Sequence, residues 1–113
     1  MKHLKTYEDI NINKPQVGDY VIIDYYYETM NINLKKFVNS SIGKIISERI
    51  YVEPITQKIQ KGELYEIRFW NIPPRLKMYF ENKTRIIATD AIIHWSKNKK
   101  ELEAILQAKN YNL

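Results

Sequence analysis

Val17-Gly18-Asp19-Tyr20-Val21 and Ile42-Gly43-Lys44-Ile45-Ile46 each place a glycine where a strand-forming, β-branched run begins. Glycine there lets the chain bend tightly and lets another backbone come close. The spacing predicts a small curled β-barrel. From Asp19 the chain alternates, with Val21, Ile23, Tyr25 and Tyr27 directed to the core and Tyr20, Ile22, Asp24, Tyr26 and Glu28 outward. Ile42 to Tyr51 reads as the second strand, apolar on both faces and therefore open in register. The third is the clearest: Tyr65, Ile67 and Phe69 face one way, Glu66, Arg68 and Trp70 the other.

Around these strands the remaining organisation falls into place. Residues 1–14 form an N-terminal turn and linker, with Leu4, Tyr7 and Ile10 on one side, and residues 15–96 form the barrel core. Residues 29–41 read as a long loop tucked down by Leu34, Phe37 and Val38. Glu53-Pro54 interrupts the second strand, and a polar excursion through Gly62 follows. Pro73-Pro74 ends the third strand, and Pro74 suits the first position of a short helix carrying Leu76, Tyr79 and Phe80. Thr84 to Trp95 supplies the last strands, broken near Thr89-Asp90. A C-terminal helix and tail occupy 97–113, capped by Ser96 or by Asn98 paired with Glu101, with Leu102, Ile105 and Leu106 as its buried stripe. The fold expected is mainly β: one domain of about five strands, a short helix after strand three and a C-terminal helix.

Composition narrows the chemistry. At 113 residues one core is affordable without staples, and the absence of cysteine excludes disulfides and thiolate metal sites. The N-terminus has no apolar leader, and no stretch reaches the ~18 apolar residues of a membrane span. A soluble, cytoplasmic protein with no membrane partner is expected. With only His3 and His94 as imidazoles, no metal site is expected, and His94 reads as a structural side chain at a barrel edge. The isolated glycines at 18, 43 and 62 cannot form a phosphate loop, and no serine sits in a strained elbow. Glu81-Asn82-Lys83 offers an acid-x-Lys pair, but at a helix end rather than on a core strand. Neither a catalytic set nor a cofactor is expected.

Charge and aromatics mark the binding candidates. The formal charge is +5, and the whole surplus lies in residues 58–113, which hold eleven Lys/Arg against six Asp/Glu. Ile, Asn, Lys and Tyr make up 51 of 113 residues, a bias that A/T-rich codons produce without selection for lysine. Trp70, flanked by Arg68 and Arg75, reads either as an interface anchor or as core beneath the 74–81 helix. Lys97, Lys99 and Lys100 oppose the dipole at the start of the last helix, a cost that points to an anionic contact. Tyr20 and Tyr26 remain outward for bases or peptide, and Lys77 joins the basic set.

Together the "GD-x-V" run at 18–21, the "G-x-I" run at 43–45 and Tyr65-Glu66-Ile67-Arg68-Phe69 resemble an SH3-like small barrel of the Tudor and KOW style over residues 15–96. The chain also resembles small uncharacterised phage proteins that open with a Lys-rich turn. The likeness implies a non-enzymatic module that binds protein or nucleic acid. An aromatic cage of the Tudor kind is not assignable from spacing, and the loops at 29–41 and 52–63 exceed those of the simplest barrels. The first expectation is a phage-type accessory protein docking on a host or phage protein, in the host cytoplasm or in a virion. The alternative is a nucleic-acid-binding barrel using the basic C-terminal half.

Overall fold

The structure, a computed structural model, describes residues 14–26, 30–52 and 59–111. The expected N-terminal turn, the inward Tyr27, the outward Glu28 and the Glu53-Pro54 break lie outside the described residues. Five strands form one antiparallel sheet: β1 (Tyr20–Ile23), β2 (Ile42–Val52), β3 (Ile59–Arg68), β4 (Thr84–Ala88) and β5 (Ile92–Ser96). Their order is β4-β3-β2-β1-β5. Helix α1 (Ile32–Asn39) joins β1 to β2, and α2 (Lys99–Tyr111) follows β5. Two 3₁₀ segments, Pro74–Tyr79 and Thr89–Ala91, lead into and out of β4. The protein is mainly β, and among the described residues no helix is long and apolar enough to cross a membrane.

Alternation sets the inner face. Val21, Ile23, Tyr25, Ile45, Tyr65, Ile67, Phe69 and Ile87 are all buried in one cluster. Leu34 and Val38 of α1 and Leu76 of the 3₁₀ turn close over it. Phe37, Phe69 and Phe80 meet there at centroid distances of 5.6 to 6.1 Å.

The structure departs from the sequence reading in three places. Residues 32–39 are helical rather than loop, because Asn31 Oδ1 accepts from the backbone N–H of Asn33 and Leu34, at 2.9 and 3.1 Å. That cap starts a helix whose Leu34 and Val38, one turn apart, both turn inward. Ile22, expected outward, is buried, because α2 packs over β1, β2 and β5 on the outer face and brings Leu102 there. Finally, β3 begins at Ile59 rather than beyond Gly62, pairing Ile59 with Val52 and Lys61 with Ile50. Backbone pairing needs no apolar alternation, so the polar stretch hid the strand.

The two quoted glycines are used differently. Gly18 has φ +95°, in the left-handed region that favours glycine. A Cβ at Gly43 would lie 2.5 Å from Ile67 Cγ2 and 3.2 Å from the Arg68 carbonyl oxygen, so the β2–β3 approach requires its absence. That close pairing decides which outer-face residues become neighbours.

Candidate functional site

Because Val21, Ile45 and Ile67 point inward, Tyr20, Lys44 and Arg68 stand on the opposite face. Register makes them a row: Tyr20 opposes Lys44, Lys44 opposes Arg68, and Arg68 opposes Thr84. Each cation lies over a ring, Lys44 Nζ 5.3 Å from the Tyr20 centroid and Arg68 Cζ 5.3 Å from that of Trp70. Lys99, from the first turn of α2, reaches the same Trp70 ring at 5.7 Å. Trp70 therefore stands on the outside, 38% exposed, and not beneath the 3₁₀ turn.

Like charges directly opposite across a ladder are destabilising. Lys44 and Arg68 are such a pair, and among the described residues neither forms an ion pair. Glu66, two residues before Arg68 on the same face of β3, is already engaged: its carboxylate oxygens accept from Ser47 Oγ at 2.9 Å and Thr84 Oγ1 at 3.0 Å. Arg68 Nε is buried with no hydrogen-bond partner. The row thus offers cations over aromatic rings with no carboxylate partner among the described residues.

Beyond Trp70 the row opens into a cleft of about 520 Å³. Phe69, Ile72 and Phe80, buried or half-buried, form its floor; Trp70, Asn71, Lys77, Asn82 and Lys83 are its exposed lining. One wall is a tight hairpin in which Glu81 and Thr84 exchange two backbone hydrogen bonds of 2.9 Å. Its central residues, Asn82 and Lys83, have φ of 51° and 67°, and Asn71 on the other side has φ 58°. A two-residue loop with both φ positive is the hairpin geometry that favours Asn followed by Gly. Lysine in the second position is held in a sparsely populated conformation at a cost of about 1 kcal/mol or more. All three left-handed non-glycine residues among those described line this one cleft. None of the described residues lining it is acidic.

The remaining sequence candidates separate. Lys99 joins the site, but Lys97 turns away to Asp19, and Lys100 is exposed with its backbone N–H donated to Asn98 Oδ1 at 3.0 Å. Arg75 is exposed on the 3₁₀ turn and does not line the cleft, whereas Lys77 does. Tyr26 donates its hydroxyl to Asp90 Oδ2 at 3.0 Å, which ties it to the β4–β5 turn. Glu101 bonds Ser96 Oγ rather than closing a box with Asn98. Sequence reasoning passed over Lys44, Asn71, Asn82 and Lys83 as ligand-facing residues. For the last two the signal was present, since Asn82-Lys83 lies between Phe80-Glu81 and a β-branched run, as a two-residue hairpin loop does.

Among the described residues no three His, Cys, Asp or Glu side chains converge as metal ligands, and His94 is exposed on the edge strand β5. In comparisons with known proteins the chain matches no family model, no curated protein and no solved structure.

Proposed function

We propose that the chain is a non-catalytic binding module built on an SH3-like barrel and that it binds nucleic acid on the face carrying Tyr20, Lys44, Arg68 and Trp70. Curling of the sheet follows from its connections. β4 and β5 are its two edges, yet only Thr89–Ala91 separates them in sequence. Four steps of chain from Ala88 to Ile92 span at most ~14 Å. Five flat strands would set those edges roughly 19 Å apart.

The single observation that carries the nucleic-acid reading is Lys44 opposite Arg68, each over an aromatic ring and neither paired with a carboxylate among the described residues. Cations interleaved with rings suit phosphates and base faces together. The test is fluorescence anisotropy with a labelled twelve-nucleotide oligothymidine at low salt. Binding that Lys44→Glu and Arg68→Glu each weaken about tenfold or more supports the reading. No binding of single- or double-stranded oligonucleotides contradicts it.

A second reading, a phage-type accessory protein docking on a host or phage protein, is favoured by apolar side chains bordering the same face. Ile86, opposite Glu66, and Ile46, in the neighbouring β-bulge, are 42% and 43% exposed. A protein partner retained after nuclease treatment and lost on Ile86→Lys would establish it.

A further inference from the structure

We infer that the cleft beside Trp70 receives one unstacked base of a single strand, so that the protein distinguishes single-stranded nucleic acid from duplex. This inference rests on the nucleic-acid reading of the adjoining row.

Three features of the cleft complement a base rather than a phosphate alone. Its size, about 520 Å³, falls within the ~300–1,000 Å³ of small-molecule sites. Its apolar lining comes from half-buried Ile72 and Phe80 and from the exposed Trp70 indole, while Phe69 lies fully buried behind them. Every base presents a flat apolar face that such surfaces accept.

The lip is polar in a way that suits base edges. The side-chain amides of Asn71 and Asn82 have no hydrogen-bond partner among the described residues, and both line the cleft. Each amide offers one acceptor oxygen and two N–H donors, the complement of a base edge. Both residues have positive φ, a left-handed conformation that asparagine adopts more readily than most residues. Lys77 and Lys83, with no carboxylate among the described lining residues, are placed for the phosphates flanking an inserted base.

Geometry then selects the strand. In a duplex the bases are stacked and paired, and swinging one out costs a few kcal/mol. A single strand already presents unstacked bases, and its backbone can continue past Trp70 along Arg68 and Lys44. Lys99, over the indole, adds a further cation where the cleft meets the row.

The experiment uses three probes of twelve nucleotides: oligothymidine, a duplex, and a strand of abasic residues with the same phosphate count. The full-length chain is titrated with each by anisotropy. Oligothymidine is expected to bind about tenfold or more tightly than either the duplex or the abasic strand. The variants are Asn71→Gly and Asn82→Gly, chosen because glycine accepts positive φ and removes the amide without threatening the fold. Together they should erase the preference for oligothymidine while leaving abasic binding unchanged. Trp70 emission, read in a Trp95→Phe background, should be quenched by oligothymidine and not by the abasic strand. Equal binding of all three probes by the wild type overturns the base pocket and leaves the row as a phosphate-binding face. A base preference that persists in the double glycine variant overturns the assigned role of the amides. No binding of any probe removes the nucleic-acid reading itself.

Discussion

The Lys97 ammonium lies 2.8 Å from Asp19 Oδ1, linking the turn before β1 to the residue that follows β5. The other carboxylate oxygen of Asp19 accepts from the Gln16 backbone N–H at 2.8 Å, and Lys97 also donates to the Val17 carbonyl at 3.2 Å. The Asp19 side chain is buried while that of Lys97 is 69% exposed, so the two partners are not equivalent. Asp19→Ala loses hydrogen bonds inside the fold and should cost about 1–3 kcal/mol in urea unfolding. Lys97→Ala, whose charge is screened by solvent, should cost no more than about 1 kcal/mol. The same pairing turns Lys97 away from the proposed binding face. Lys97→Ala should leave oligonucleotide affinity unchanged, whereas Lys99→Ala should weaken it several-fold.

Lys83 tests whether backbone strain is tied to binding. Its φ of 67° suits glycine better than lysine, so Lys83→Gly should raise stability by up to about 1 kcal/mol. If the strain holds the ammonium at the cleft, the same variant binds oligothymidine more weakly. Higher stability with undiminished affinity would show that Lys83 takes no part in the site.

Gly43→Ala should cost about 1–3 kcal/mol, because its methyl would meet both Ile67 and the Arg68 carbonyl. Parting β2 from β3 would also displace Lys44 from Arg68, so affinity should fall together with the unfolding midpoint.

Tyr65 gives the fold a pH signature. Its hydroxyl donates to the Pro15 carbonyl at 2.7 Å, and its pKa is raised by burial first, then by the charges of Glu48 and Asp19. The folded state therefore favours the neutral phenol more than the unfolded chain does. That stabilisation is complete below the unfolded value of about 10 and is lost as pH rises through the higher folded value. The urea midpoint should fall above about pH 10. Tyr65→Phe should remove part of that fall at a cost of about 1 kcal/mol at neutral pH.

The sequence exposed what local alternation controls and hid what register and distant packing control. Tyr65, Ile67 and Phe69 turn inward and Arg68 and Trp70 outward, as their spacing predicts. The breaks at Pro74 and Thr89 were equally legible, whereas of the expected buried stripe only Leu102 is buried and Ile105 and Leu106 are half-buried. Helix α1 was missed although Asn31 followed by Leu34 and Val38 is a cap with a helical repeat, because eight residues are too few for periodicity to stand out. Ile22 could not be placed without knowing that α2 crosses its face. The key juxtaposition, Lys44 beside Arg68, depends on the β2–β3 register, which a strand apolar on both sides leaves open. The surplus counted along the chain pointed to a nucleic-acid alternative but was too moderate to favour it over a protein partner; the Lys44–Arg68 pairing across the sheet is what the proposed nucleic-acid reading rests on.

The most direct test of the central claim is the salt dependence of oligothymidine binding by the wild-type chain. If three to five of the cations Lys44, Arg68, Lys77, Lys83 and Lys99 engage phosphates, the logarithmic slope is about −2 to −3.5. Affinity should then fall roughly 16- to 130-fold between about 50 and 200 mM salt, and Lys44→Glu should make the slope shallower. A slope near zero, or affinity unaffected by reversing charge at Lys44 and Arg68, would contradict it.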